Sequence, residues 1–187
     1  MHRHFREFID ATTAIVSAAD GNEASILGPL RASAARLVET DDWLDEAATI
    51  PHPLHYQQYL LYRDPGERFS VVSFVWGPGQ ATPIHNHKTW GIIAMLRGAE
   101  TSERFVIDES DGTLRAVGEQ TLRPGDVDAV SPALGDIHRV RNVFSDQVSI
   151  SIHIYGGDIG RIVRDMYDAK TGKRKTFISG YANAGQT

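Results

Sequence analysis

Cysteine is absent from all 187 residues, which excludes disulfides, thiolate metal ligands, a cysteine nucleophile and any cysteine-derived crosslink. Long apolar runs are absent too; none approaches the roughly 20 residues that a membrane-spanning helix needs. Positive charge is in deficit, with 19 Lys and Arg against 24 Asp and Glu and a formal net charge of −5. That balance offers no basic face of the kind that binds nucleic acid. The amino-terminal stretch lacks a basic start followed by a continuous apolar segment, so no signal peptide is expected. Internal repeats and low-complexity tracts are missing as well. These absences lead us to expect a soluble, cytoplasmic protein that engages neither nucleic acid nor membrane. Nothing in the sequence fixes an oligomeric state.

What is present is the composition of an ordinary globular protein, 41% hydrophobic and 23% charged. The length suits one domain over residues 1–187, with a helical region at 1–45, a β core at 55–156 and a C-terminal extension at 157–187. From Phe5 to about Thr40 apolar residues recur at helical spacing. Phe5, Phe8, Ile9, Thr12, Ile15 and Val16 form one stripe, with the threonine on the same face; Ile26, Leu27, Leu30, Ala34, Leu37 and Val38 form the next. Asp20-Gly21-Asn22 separates them, with Gly21 placed to end the first helix and Pro29 near the start of the second. We expect these helices to lie on a sheet.

From Tyr56 onward the texture changes to short β-rich runs divided by Gly, Pro and Asp, among them Phe69–Trp76, Thr82–His87, Gly91–Leu96, Glu100–Ile107, Leu114–Gly118, Gln120–Leu122, Val127–Val130, His138–Asn142 and Val148–Tyr155. Many short strands at this spacing predict a sandwich or closed barrel. Beyond Tyr155 the spacing predicts a short helical piece around Ile159–Tyr167, then a turn at Lys170-Thr171-Gly172-Lys173 and a tail.

His85 and His87 stand two apart in a strand-like segment, so both imidazoles should project from one face. Neutral imidazole is the common protein ligand for iron, copper, nickel and zinc. Gly79, His85, His87, Gly91 and Gly98, followed by Gly125, Pro132, Gly135, His138 and Asn142, resemble the two signature motifs of the cupin superfamily. The second motif is looser than usual, with one extra residue on each side of Pro132. The resemblance implies a mainly β, double-stranded β-helix (jelly-roll barrel) with N-terminal α-helices packed outside and one metal ion held by His85, His87 and His138. Cupins usually carry a glutamate ligand where this chain has Gly91. Three neutral imidazoles would leave a divalent ion its full charge and open positions, which suits an anionic ligand plus a diatomic gas.

In Val148–Tyr155 the alternation is almost unbroken: Ser149, Ser151, His153 and Tyr155 share one face, and Val148, Ile150, Ile152 and Ile154 the other. Alternation alone does not say which face points inward, and a solvated polar face would satisfy it. Tyr155 seventeen residues after His138, with Ser151 and His153 between, resembles the thiol dioxygenases of the cysteine dioxygenase type. That resemblance implies one Fe(2+) per chain on the three histidines, with a relay of Ser151, His153 and Tyr155 beside it. It further implies addition of both oxygen atoms of O2 to a thiol sulfur, giving a sulfinate.

Animal members of that family carry a cysteine that crosslinks to the relay tyrosine; here Gly91 falls near its position and no cysteine exists. Animal members also bind the substrate carboxylate through an arginine on an early strand, where this chain offers Gln58. Gln58 together with Arg164, nine residues after Tyr155, resembles the bacterial 3-mercaptopropionate dioxygenases. The implied substrate is a small thiol carboxylate held by the Arg164 fork, with Arg63 and Arg68 as competing candidates. L-cysteine is the alternative substrate. Two other readings stay open: a cupin with the same ligands holding Mn, Ni or Zn for non-redox chemistry, and a non-catalytic binding cupin, which would have no use for the relay.

Overall fold

Both faces of the strand that carries Ser151, His153 and Tyr155 turn out to be buried. Residues 1–185 are described by the computed structural model. Helices α1 (Arg3–Ala18) and α2 (Glu23–Leu37) lead through a single 3-10 turn at Glu46–Ala48 into eleven strands. These are β1 (Gln57–Arg63), β2 (Phe69–Trp76), β3 (Ile84–His85), β4 (Gly91–Arg97), β5 (Glu100–Ile107), β6 (Leu114–Leu122), β7 (Val127–Val130), β8 (His138–Asn142), β9 (Ser149–Gly156), β10 (Arg164–Tyr167) and β11 (Arg174–Phe177). One sheet runs β1-β2-β9-β4-β7 and the other β11-β10-β3-β8-β5-β6, with every pairing antiparallel. From β2 to β9 the chain crosses between two facing sheets at every step except the β5–β6 hairpin, which stays in the second sheet, and this is the strand order of a jelly roll.

The first sheet is covered twice. Its outward residues, among them Val71, Val75, Ile92, Ala94, Ile150, Ile152 and Ile154, form one apolar cluster with Phe5, Phe8, Ile26, Leu30 and Leu37 of the helices. This is why β2 is buried along its whole length, while β6 on the other sheet is mostly exposed. The isoleucines of β9 therefore belong under the helices, and the alternate residues Ser151, His153 and Tyr155 turn into the barrel. Trp43 locks the helical layer: it stacks on Phe5 at 5.1 Å between ring centroids, and its indole N–H donates to the Leu37 and Thr40 carbonyls at the end of α2. Among the described residues no helix is long and apolar enough to cross a membrane.

Four expectations change. The stretch Ile159–Tyr167 is not helical; it is a turn at 158–162 followed by β10. Its apolar spacing fits a helix, but the open edge of β3 needs a hydrogen-bonding partner, and Met166 and Tyr167 supply it opposite His85 and Ile84. Leu114–Gly118 and Gln120–Leu122 are not two strands but one, β6, which runs through Glu119 beside β5 with only a bulge opposite Arg104 and Phe105. Thr82–His87 is a strand only at Ile84–His85, so His87 lies in the following turn. Pro29 stands inside α2 rather than at its start, where it leaves the Ser25 carbonyl without a helical donor; the buried Ile26, Leu30 and Ala34 around it offset that loss.

Leu30 is fully buried between helix and sheet. Leu30→Ala should lower unfolding free energy by about 2–5 kcal/mol in a denaturant titration. Because the helices lie on the outer face, the variant's metal stoichiometry should stay that of the parent.

Candidate metal centre

His85 and His138 are direct cross-strand partners of β3 and β8, which sets their side chains next to each other. His87 reaches the same point from the turn. Asp136 pins that turn, its carboxylate accepting from the His87 N–H at 2.7 Å and the Lys88 N–H at 2.9 Å while Lys88 takes a left-handed φ of 59°. The three rings form a nearly equilateral triangle, with centroids 4.9, 4.9 and 4.8 Å apart. One ligand nitrogen from each lies within 4.8 Å of the others, and no carboxylate joins the group among the described residues.

Hydrogen bonds decide which nitrogen is free. His85 Nδ1 lies 3.0 Å from the Pro83 carbonyl, His87 Nδ1 3.3 Å from the Asp136 carbonyl, and His138 Nδ1 3.0 Å from Ser102 Oγ. Each outer nitrogen is thereby engaged, which leaves Nε2 as the lone-pair donor toward the centre. His87 Nε2 is buried without a partner among the described residues. Burial holds the basicity of all three imidazoles below the ordinary range, furthest for His85 and His138, so they stay neutral. A divalent cation fits this donor set.

The relay residues lie alongside. Ser151 Oγ is 2.8 Å from His153 Nε2, and His153 Nδ1 is 2.7 Å from the Tyr155 hydroxyl. The Tyr155 ring stacks on His87 at 5.4 Å, and Phe74 stacks on His153 at 4.0 Å. Burial pushes the Tyr155 phenol far above its usual range, so it keeps its proton. Gly91 is the register partner of Tyr155 on β4, and a Cβ added there would meet the tyrosine ring at 2.8 Å. The glycine that stands where a glutamate ligand is usual thus gives its space to the phenol.

Arg164, at the start of β10, is 3% exposed. Its Nη2 donates to Ser179 Oγ at 2.7 Å, its guanidinium lies 4.7 Å over the Phe177 ring, and its buried Nε has no partner among the described residues. Phe177 in turn meets the His85 ring edge-on at 6.4 Å. Gln58 sits on β1 with its side-chain oxygen buried and without a hydrogen-bond partner among the described residues. Gln58 and Ser179 both border a cleft of about 330 Å³ that Tyr56, Phe177 and Tyr181 also line. Arg63 and Arg68 are elsewhere: Arg63 pairs with Asp158 and Arg68 with Asp64.

Reading the sequence alone missed the inward face of β5. Glu100, Ser102 and Arg104 alternate there, contacting Ser151, His138 and Asp128 respectively. The signal was available as a period of two, but the adjacent Thr101 and Glu103 make both faces polar and hide it.

Residues 37–169 match the profile of a family described as cysteine dioxygenase type I. The bovine protein named cysteine dioxygenase type 1 is 25% identical over 129 residues, covering 66% of this chain and 63% of its own length. The human protein of that name is 25% identical over 137 residues, covering 70% and 67%. The chain thus spans just under two thirds of the bovine relative. Among solved structures, a cupin 2 domain-containing protein from Halorhodospira halophila superposes with a TM-score of 0.47 at 18% identity, covering 70% of this chain and 81% of that one.

Gly91→Ala should strain the Tyr155 and Val130 packing and cost about 1–3 kcal/mol. Calorimetry should show a lowered Tm. The near-ultraviolet tyrosine signal should change while bound metal per chain does not.

Proposed function

Because the chain belongs to the cysteine dioxygenase type I family, we propose that it is a non-haem iron thiol dioxygenase. It adds both atoms of O2 to the sulfur of a small thiol carboxylate, and the substrate is 3-mercaptopropionate. The observation that carries this reading is a buried guanidinium without an acidic partner beside three inward-facing imidazoles. Among the described residues no carboxylate pairs with Arg164, yet its field reaches His85, His87 and Tyr155. A charge taken out of water is costly unless an anion meets it. A substrate carboxylate on the Arg164 fork supplies that anion.

A ferrous ion on His85, His87 and His138 supplies, when bound, the redox chemistry that joins dioxygen to sulfur. The remaining work belongs to the chain. Arg164, steadied by Ser179 and Phe177, fixes one end of the substrate, so the thiol three atoms away is presented toward the imidazoles. Tyr155, held by His153 and Ser151, offers a hydrogen bond to dioxygen in the pocket. The aromatic wall of Tyr56, Phe74 and Trp76 keeps bulk water from the reacting atoms.

The substrate choice rests on what meets the carbon next to the carboxylate. Among the described residues no carboxylate pairs with Arg164 or Gln58 to receive a substrate ammonium, since Asp165 is taken up by Lys88 and Asn86 and Asp136 by the His87 turn, which favours 3-mercaptopropionate. L-cysteine is the second reading, because the free side-chain oxygen of Gln58 can accept a hydrogen bond from an ammonium group.

Iron-loaded protein should consume oxygen and yield a sulfinate, detected by mass, fastest with 3-mercaptopropionate and more slowly with cysteine or cysteamine. Absence of oxygen uptake with all three rejects the activity; metal analysis of protein purified without added metal then separates a Mn, Ni or Zn cupin from an iron one. Arg164→Ala should raise KM roughly 30-fold, the loss expected for a buried charge pair worth about 2 kcal/mol. Its iron content should be unchanged, and an unchanged KM would remove Arg164 from the substrate site.

A further inference from the structure

Glu100 opens β5 and turns into the barrel, where it is 1% exposed. Its Oε2 lies 2.7 Å from Ser151 Oγ, which extends the relay to four groups: Glu100, Ser151, His153 and Tyr155. No cation pairs with it among the described residues. Arg104, on the same face of β5, is held by both oxygens of Asp128 from β7. The other groups around Glu100 are His153 and Tyr155 of β9, the indole of Trp76 on β2, and its neutral register partners Asn142 of β8 and Leu122 of β6.

A count of hydrogens at Ser151 makes this arrangement directional. A hydroxyl has one donor and two acceptor positions. Trp76 Nε1 can only donate, and it reaches Ser151 Oγ at 3.1 Å, so one acceptor position is filled. One hydrogen and one lone pair remain for Glu100 and His153. With Glu100 ionised, Ser151 donates to the carboxylate and accepts from His153 Nε2–H. His153 Nδ1 must then accept from Tyr155, whose oxygen faces the pocket as an acceptor only. With Glu100 protonated every bond reverses. The carboxylic acid donates to Ser151, Ser151 donates to His153 Nε2, His153 Nδ1–H donates to the Tyr155 oxygen, and the phenol O–H is free for the pocket.

We propose that Glu100 is the proton store of the relay and that its protonation sets the direction in which the Tyr155 hydroxyl points. The two states differ by one proton. If a proton enters from the pocket at the Tyr155 oxygen, the tyrosine hydrogen passes to His153 Nδ1, the Nε2 hydrogen to Ser151, and the serine hydrogen to Glu100. Serine, imidazole and phenol then carry the hydrogens they began with, and one proton has moved to the buried carboxyl. A thiol entering the pocket has such a proton to give. Burial raises the Glu100 carboxyl to about 7, so both states are populated near neutrality. Burial also keeps His153 neutral, so its two tautomers are the states to be distinguished. Glu100 is a positioning residue, and the link to turnover rests on the dioxygenase reading, whereas the tautomer switch does not.

The test is nitrogen NMR of the full chain loaded with diamagnetic zinc, with the His153 signals assigned by comparison with His153→Gln. In the parent, His153 should pass from Nδ1–H to Nε2–H as pH rises from about 5.5 to about 8.5, with a midpoint near 7. Glu100→Gln, whose amide donates at every pH, should hold the Nδ1–H form throughout. In the iron enzyme the parent's kcat should fall as pH rises through that midpoint, and Glu100→Gln should lack the fall while keeping KM. A His153 tautomer that ignores pH in the parent overturns the proposal, and that measurement does not depend on Glu100→Gln folding. A switch that persists in Glu100→Gln overturns it equally. A working switch in a protein that oxidises no thiol overturns the dioxygenase reading and leaves Glu100 in place.

Discussion

The outer nitrogen of every histidine in the triad is held by a fixed neighbour. A backbone carbonyl holds His85, a second holds His87, and a serine hydroxyl holds His138. Bringing the lone pairs of three buried neutral imidazoles to one point is unfavourable unless a cation meets them, so the surrounding chain must impose the arrangement. Much of the barrel follows from managing that cost. The β3–β8 register sets two of the rings, Asp136 bends the chain to bring the third, and Ser102 on β5 fixes the last tautomer.

The same economy extends across the interior. Polar groups that point inward from β5 and β9 meet each other across the barrel instead of meeting water, and the apolar side of β9 is covered by the helices. A sheet buried on both faces can afford a polar inner surface because its outer surface carries the hydrophobic contribution. Helices without chemical residues thus matter to the centre indirectly, by freeing the inner face for chemistry.

Much of this was legible from residues alone. Motif spacing placed His85, His87 and His138 together, and period-two alternation put Ser151, His153 and Tyr155 on one side. What alternation could not state was which side faces the barrel, because the helices cover the apolar face of β9 and its polar face is buried too, so the contrast between them does not separate inside from solvent. The segment before β10 misled for a related reason. Its spacing matched a helix, and only the unfilled edge of β3 explains why it became a strand. Arg164 falls at the head of that strand, so its position was found by resemblance while its local structure was not. Glu100 escaped notice because its burial depends on partners 51 residues away on β9, a pairing that no local pattern encodes.

Gly91 and Tyr155 face each other with less room between them than one methyl group requires. A side chain at position 91 would displace the Tyr155 ring that stacks on His87, so the bare backbone there sets where the phenol stands beside the three histidines.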